Sequence, residues 1–545
     1  MSRSNTFCSV LAVLFVSLAV AACGDDGGNQ SSDAGTIDAG TIDAVAPDAE
    51  WGTTVDQAVN FLGGGTALDA LTRFQLTVTG TRSMANESQT AGDPAVQTST
   101  FSATVSIDIT NTAQRIDYTR NITYLGGIPL TYSEIYDVTL GYISGQDSVF
   151  GGGDTEMLSS RLASGREQQT LLNPHLILQR IRAIPSLATD AGEVTDGGTT
   201  FRVVDFDDEI APIRLWVDPS DGRIDRATTM VNDLLLRDVA LTISYADWAE
   251  VDGIKFPNTV TITQGSDVIH SETRTAVEVN PTFGASTFQF PGGASPVFDA
   301  DLAHFGDQSH QFFQAFAGLG IPLDAPQTTV LSTELAPGIF HLTGGTHHSL
   351  AVEQANGLVI VEAPHSPARA EAIIAWAGTN FPGKSITHVV ATHHHQDHSA
   401  GLRAFVAVGA TVVIHTLSRA FFNDQVFAAP STIVPDGLSQ NPATATFSTV
   451  AAGAPVTLAD ATNPIDVHAL TTTHAGDMVL VHVQTSGDNF VFQSDLYNPG
   501  GGGSTFNPAF AQELLDGIQA ISVDILVGGH GGVAPLSELV DFLAP

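Results

Sequence analysis

A short run rich in histidine carries the residue types best suited to chemistry. It spans residues 392–399 and directly follows an apolar stretch, 386–391, that has the composition of a buried strand. Ser399 is the expected N-cap of a following helix, so the run would form a tight strand-to-helix turn. Imidazole nitrogens and carboxylate oxygens, converging in such a turn, are ligands that Zn²⁺, Fe²⁺ and Mn²⁺ accept. The candidate metal ligands of this turn are His393, His395, Asp397 and His398.

Three later segments each end a predicted strand with another ligand-type side chain. Taken alone, each of these side chains is more typical of an ordinary strand end than of a metal site. Together with the turn they make seven candidate ligands, in two groups of three with one carboxylate to share. The three later residues are His474, Asp495 and His530.

This set of residues, in this order, resembles the metallo-β-lactamase superfamily of hydrolases over about residues 325–545. The resemblance implies an α/β domain, an αββα sandwich that binds its metals at one edge of two sheets. It also implies two divalent metal ions, with zinc as the expected metal. By the same resemblance the first ion takes His393, His395 and His474, the second takes Asp397, His398 and His530, and Asp495 bridges the two.

The chemistry implied is hydrolysis by a metal-bound hydroxide. The substrate would be a small molecule with an ester, thioester, lactone or related bond. Asp397 lies beside the nucleophile in this arrangement and is the expected catalytic residue, since it could accept a proton. The best-known lactamases have a cysteine in the second site, whereas residues 325–545 contain none, so antibiotic hydrolysis is only weakly indicated.

Three further residues are candidates for supporting contacts. His347 and His348 fall on an early loop that borders the metal edge in this fold, where they could touch a metal ligand or the substrate; exposed loop histidines are the alternative. Glu362 ends a strand beside the site and could accept the second N–H of a ligating histidine. A strand-end acid with no such role is equally compatible with the pattern.

The pattern of apolar and polar residues before residue 325 differs from the pattern after it. Residues 51–295 alternate apolar and polar side chains with period two, which predicts a mainly antiparallel β domain. The strand pairs and the stretch 245–257 resemble the half-barrel of periplasmic lipoprotein carriers, which implies a concave face for a lipid or another apolar ligand. A structural spacer domain is the alternative. Residues 296–324 have helical spacing and are predicted to connect the two domains.

The sequence pattern of the first 50 residues predicts that the protein is exported. A charged start and an apolar core over residues 1–22 predict a signal peptide. The sequence Val20-Ala-Ala-Cys23 resembles a bacterial lipobox, so we expect lipidation at Cys23; an ordinary signal peptide with an incidental cysteine is the alternative. Residues 23–50 form an acidic, low-complexity tether. The expected location is the cell envelope, at the outer membrane or in the periplasm, held to a membrane by the lipid anchor.

Composition excludes two classes of protein and leaves three functions open. With 20 Lys and Arg against 58 Asp and Glu in 545 residues, the chain is unsuited to binding nucleic acid. Its two cysteines lie in the first 23 residues, which excludes a disulfide scaffold. Besides the hydrolase, we consider a lipid-binding lipoprotein with an inactive hydrolase domain and a mononuclear iron oxygenase. We also expect residues 299–545 to fold and bind metal alone, because the predicted ligands all lie there.

Overall fold

The computed structural model describes residues 53–124, 126–149, 153–207, 212–290, 299, 327–505 and 507–544. The predicted signal peptide, Cys23, the tether and nearly all of the connecting segment 296–324 lie outside these residues. By its contacts, the chain from Ala49 to Pro545 forms a single unit. Within the described ranges, no helix is long and apolar enough to cross a membrane.

The first region is built on one antiparallel sheet of thirteen strands. Alternation places one face of each strand in the core, as in the second strand, where Phe101, Ala103 and Val105 are buried. The order across the sheet is β6-β5-β4-β3-β2-β1-β13-β12-β11-β10-β9-β8-β7. The strands are β1 Arg73–Met84, β2 Val96–Asp108, β3 Ala113–Ile122, β4 Ile128–Tyr136, β5 Gly141–Gly145, β6 Thr155–Glu156, β7 Ala188–Asp196, β8 Thr199–Asp207, β9 Pro212–Val217, β10 Ile224–Asp233, β11 Arg237–Val251, β12 Ile254–Gln264 and β13 Asp267–Val279.

Helices pack on the core face of this sheet. Residues 159–183 form two helices and not one, because Pro174 starts a new helix and Asn173 separates it from the one before. The large antiparallel sheet confirms the predicted β region and is consistent with a half-barrel. Its described residues enclose a cavity of about 10 Å³, the room of one water molecule. The helices are α1 Thr53–Leu62, α2 Gly65–Ala70, α3 Ser159–Leu172 and α4 Pro174–Ala183.

The second region contains two mixed sheets. The first has seven strands in sequence order, antiparallel from β14 to β17 and parallel from β17 to β20. The second has six strands, also in sequence order. The strands are β14 Leu331–Ala336, β15 Ile339–Thr343, β16 Ser349–Gln354, β17 Gly357–Val361, β18 Ile386–Val390, β19 Thr411–His415, β20 Phe447–Val450, β21 Val456–Leu458, β22 Ile465–Ala469, β23 Val479–Val483, β24 Phe490–Gln493, β25 Ile525–Gly528 and β26 Val533–Pro535.

These sheets pack face to face with helices outside them. Val359 and Val390 of one sheet meet Val481 and Phe492 of the other in a buried layer. Other residues of the same strands face helices, as Ile360 and its neighbours do toward the helix 367–380. The predicted αββα sandwich is therefore confirmed. Its helices are α5 Pro367–Asn380, α6 Gln396–Ser399, α7 Leu402–Ala407, α8 Arg419–Phe421, α9 Gly437–Gln440, α10 Pro508–Ile518 and α11 Leu536–Phe542.

The two regions contact each other through a β hairpin of the first. Leu235, between β10 and β11, has no exposed surface and belongs to the core formed by the seven-stranded sheet and its helices. Arg237 is buried and donates from Nη2 to the carbonyl oxygen of Val434, 3.0 Å away. Asp238 accepts from the backbone and hydroxyl of Thr432. Residues before 299 thus help to form the core of the second region, which weakens the expectation that residues 299–545 fold alone.

Candidate active site

The histidine-rich turn links strand β18 to helix α6. Val390 ends the strand, and α6 begins at Gln396, so the ligand-type residues lie on the connecting turn and the first helical turn. Ser399 is not the N-cap of the next helix, which corrects the prediction. It is the last residue of α6, and its hydroxyl donates back to the carbonyl oxygens of His394 and His395. Ser399 lies one helical turn after His395, so its hydroxyl can bond back to the carbonyl oxygens that precede the helix.

A first group of ligand-type atoms lies within 4.8 Å of one another, one atom from each residue. His393 Nε2 is 3.4 Å from His474 Nε2, and His474 Nε2 is 3.0 Å from Asp495 Oδ2. His393 and His395 are each 1% exposed, so the group is enclosed by protein. Its members are His393, His395, His474 and Asp495.

A second group satisfies the same 4.8 Å criterion. It contains the three residues assigned to the second ion by resemblance, and it also contains His347. His347 Nε2 donates to Asp397 Oδ2 over 3.0 Å, and His347 is 2% exposed, so it is part of the cluster. The group consists of His347, Asp397, His398 and His530.

Asp495 lies between the two groups. Its Oδ2 approaches His474, whereas its Oδ1 lies 2.9 Å from His398 Nε2 and 3.0 Å from His530 Nε2. The contact with His398 is short but lacks the alignment of a hydrogen bond, since His398 Nε2 has no hydrogen-bond partner. One carboxylate thus directs one oxygen to each group.

The donor atoms fit a divalent metal. His395 Nδ1, His398 Nε2 and Asp397 Oδ1 are buried without a hydrogen-bond partner. Buried polar atoms normally have partners, because leaving one unpaired costs free energy. Imidazole nitrogens and carboxylate oxygens that point into one enclosed space are the ligands expected of zinc and related ions.

Glu362 determines which nitrogens are available. It is fully buried, and its Oε2 accepts from His398 Nδ1 at 3.0 Å. Its Oε1 accepts from the hydroxyl of Thr392 at 2.5 Å. The Thr392 hydroxyl oxygen in turn lies 3.1 Å from His393 Nδ1. With both Nδ1 atoms held by these contacts, the Nε2 atoms of His393 and His398 are the ones that face the site.

The other two predicted supporting histidines differ in their surroundings. His347 packs against His365, with ring centroids 4.3 Å apart, and His365 is itself buried with a backbone φ of 66°. His348 instead packs edge to face on His341, and its backbone N–H donates to Gly529. His347 is therefore inside the cluster, and His348 lies beside the strand that leads to His530.

Burial and charge set the protonation states of the cluster. Burial, followed by the charge of His530, lowers the pKa of His347 to about 4. Burial would also lower the pKa of His398, but Asp495, Glu362 and Asp397 together raise it well above its ordinary value. Burial opposes ionisation of Asp495, yet His398 and His530 hold its pKa well below the usual range. The carboxylates are thus ionised, as metal binding requires.

Residues from the first region reach this site, and the sequence did not indicate them. His395 Nε2 donates to the carbonyl oxygen of Ser88, 3.1 Å away, in the hairpin between β1 and β2. Glu87 is 4% exposed, and its Oε2 lies 3.6 Å from His395 Nδ1. Burial, then the charges of Asp397 and Asp495, hold the pKa of Glu87 well above its ordinary value.

A neighbouring histidine of the run has a structural contact instead. His394 Nδ1 donates to Asp477 Oδ1 over 2.7 Å, and both side chains are buried. Asp477 follows His474 by three residues, so this pair joins the histidine turn to the loop that carries His474. A separate group, Asp466, His468 and His482, also places ligand-type atoms within 4.8 Å of one another, on strands β22 and β23.

Comparisons with known proteins identify similar structures and one matching sequence profile. Solved structures similar to the chain include metallo-β-lactamases from Pontibacter korlensis (19% identity, 39% of this chain, 97% of that chain, TM-score 0.30) and Hirschia baltica (19%, 39%, 96%, 0.30). Another is a mono-zinc form of the Pseudomonas aeruginosa metallo-β-lactamase FIM-1 (18%, 40%, 95%, 0.31). Among curated proteins, none is significantly similar. The sequence profile of the metallo-β-lactamase superfamily matches residues 342–530, and this part of the chain belongs to that superfamily.

Proposed function

We propose that the protein is a hydrolase with two divalent metal ions, zinc in its native state, that cleaves an ester-type bond of a small molecule. The observation that carries the proposal is the position of Asp495 between two groups of metal-ligand atoms. Two ions held in this way would polarise a substrate oxygen and lower the pKa of a bound water toward about 7.

The chain's own residues divide the remaining work. Glu362 orients His393 and His398, so their nitrogens face the site without rearrangement. Asp397 presents its unpartnered Oδ1 while His347 holds its Oδ2, which suits Asp397 to receive a proton. We keep Asp397 as the proposed catalytic residue.

The charge of the site favours a neutral substrate. Among the described residues, the ion pairs of Asp397 and Asp495 are all with histidines. Enzymes that bind phosphate groups commonly use arginine or lysine to hold them. An ester, thioester or lactone needs no such cation, so we place the substrate in this class.

Location and anchoring are proposed from the sequence alone. The residues concerned, including Cys23, precede the described part of the chain. We propose that Cys23 carries lipid and that residues 23–50 tether the enzyme in the cell envelope. A Cys23→Ser variant should then leave the membrane fraction or remain unprocessed, while identical soluble fractionation of both forms would contradict the anchor.

Metal counting with a substrate panel tests the function. The full chain should hold two ions after dialysis and hydrolyse at least one ester, thioester or lactone, with activity lost on chelation and restored by zinc. His468→Ala serves as the counting control, because it removes the separate group on β22 and β23. One iron per chain with oxygen consumption would favour the oxygenase instead, and a chain without tight metal would favour the binding lipoprotein.

A further inference from the structure

The first part of the loop between β1 and β2 is buried, although a hairpin loop is normally exposed. Residues 84–88 are all buried, although three of them are polar. Asn86 has a φ of 64°, in the left-handed region, which turns the chain sharply at this point. Connecting loops usually run over the surface, so burial of this one requires a partner that satisfies it.

That partner is the loop system of the metal site. The Ser88 carbonyl oxygen takes the Nε2 proton of His395, which leaves His395 Nδ1 as the free ligand atom. One residue later, the carbonyl oxygen of Gln89 accepts from the N–H of Gly476 at 2.7 Å. Gly476 follows His474 by two residues, so the hairpin contacts both loops that carry histidines of the first group.

The surroundings of the Glu87 carboxyl group disfavour its negative charge. Its Oε1 is buried without a hydrogen-bond partner, and its Oε2 faces the unprotonated nitrogen of His395. The neighbouring charged groups that act on it most strongly after burial are Asp397 and Asp495, which are also negative. A buried anion in such company is costly unless a cation lies close to it.

A second loop of the same sheet lies near the same charges. Tyr124 follows β3, and burial, then Glu87, Asp495 and Asp397, raise its pKa above the ordinary value. Its phenol therefore stays protonated, and the three carboxylates that raise its pKa are the ones that surround the metal site. The β1–β2 and β3–β4 connections of the first sheet thus both approach the cluster.

We propose that Glu87 is an acidic group of the metal centre, contributed by the first sheet, and that it strengthens metal binding at the group containing His395. This inference rests on the proposed metal centre. Two dications carry four positive charges, and Asp397 with Asp495 offset two of them. Glu87 offsets a third, so the first sheet contributes to the charge balance of a site on the second region.

Zinc affinity of the full chain tests the proposal. Metal-free wild type, Glu87→Gln and Asp93→Asn are titrated with Zn²⁺ against a competing chelator. Asp93 is the matched control, since it removes one carboxylate from the exposed part of the same hairpin. We expect Glu87→Gln to weaken zinc binding by about 10–100-fold, as loss of an outer contact does elsewhere, and Asp93→Asn to change it less than about twofold.

Stability measurements separate this role from a structural one. The melting temperature of each protein is measured without metal and with saturating Zn²⁺. Glu87→Gln should leave the metal-free protein as stable as wild type or more stable, because without the ions Glu87 is a buried acid group close to two other carboxylates, while the rise produced by zinc shrinks. Equal zinc affinity in wild type and Glu87→Gln, or an equal loss of stability with and without zinc, would overturn the inference. Wild type that binds no zinc would instead overturn the proposed function.

Discussion

Single residues set the metal site's donor atoms, and Glu362 is the clearest case. Its two oxygens reach His398 directly and His393 through Thr392. A glutamine at this position would place an amide N–H₂ against one of these donors. We expect Glu362→Gln to weaken zinc binding by about 10–100-fold, measured by chelator competition.

Two variants sharpen this prediction. Glu371→Gln, on an exposed face of α5, removes a carboxylate without touching the site and should leave affinity unchanged. Thr392→Val breaks only the branch to His393, so its loss should be smaller than that of Glu362→Gln. A Glu362→Gln protein with wild-type affinity would show that the buried carboxylate is a structural acid only.

The bridging position of Asp495 gives a second residue-scale prediction. Ions roughly 3.5–4 Å apart repel unless anions lie between or beside them. Asp495→Ala removes the carboxylate directed at both groups, so we expect about one tightly bound ion per chain and turnover lower by orders of magnitude. Asp495→Asn keeps one oxygen donor and should retain more of the second ion. Two tight ions and near wild-type turnover in Asp495→Ala would contradict the bridge.

Residue identities were predictable where a motif carried them. The turn 392–399 and the strand-end residues His474, Asp495 and His530 have a recognisable order, and the structure brings them together. Their role as metal ligands stays a prediction. Glu87 and Ser88 lie about 300 residues earlier and belong to no motif, so only the three-dimensional contact with His395 reveals them.

At the scale of elements, a buried histidine on helix α4 ties the helix to the first sheet. His175 is fully buried, contacts the ring of Phe256, and donates from Nε2 to the carbonyl oxygen of Lys255, 2.8 Å away. Burial lowers its pKa to about 3. In the unfolded chain the pKa is about 6.5, so between these values only the unfolded state takes up the proton.

Stability should therefore depend on pH through this residue. The stabilisation contributed by neutral His175 is complete above pH 6.5. As the pH falls toward 3, it decreases by about 1.4 kcal/mol per pH unit. We expect metal-free His175→Phe to have a lower free energy of unfolding than wild type at pH 7.5. As the pH falls, the wild type should lose stability faster than the variant, so the two plots of unfolding free energy against pH cross. Parallel curves from pH 7.5 to 4.5, measured by urea denaturation, would show that His175 titrates normally.

Element boundaries followed local pattern, and the errors have local causes. The strand β18 and helix α5 agree with their apolar spacing. The N-cap prediction for Ser399 was wrong because Ser399 ends the short helix α6. A helix of four residues has too little periodicity to be predicted from sequence. The break at Asn173 was readable from Pro174, which cannot continue the preceding helix without losing a backbone donor.

At the scale of the whole molecule, the two regions share a core. Leu235 comes from the first sheet but is buried among residues of the second region. We expect Leu235→Ala to lower the free energy of unfolding by about 2–5 kcal/mol, measured by urea denaturation. Met230→Ala, at an exposed position on the same hairpin, should change it by less than about 0.5 kcal/mol.

The same contacts bear on fragments. A chain of residues 299–545 lacks Leu235, Arg237 and the Ser88 carbonyl oxygen that His395 contacts. We expect such a fragment to be less stable and to bind zinc more weakly than the full chain, measured by denaturation and chelator competition. Equal stability and affinity would restore the independent domain that the change of pattern near residue 325 suggests, and the domain boundaries stay a prediction until then.

The order of strands in the first sheet also has a consequence for how the chain folds. All neighbouring strands are consecutive in sequence except β1 and β13, which meet at the centre, where Phe74 pairs with Val279. The two halves of the sheet can each form from local strand pairings. The pairing of β1 with β13 requires the synthesis of about 200 further residues, which takes about 10–40 s at typical rates. Until then β1 offers a bare edge to any other strand. Aggregation of newly made chains should therefore begin at β1, and a chaperone that covers this edge would raise the yield of folded protein.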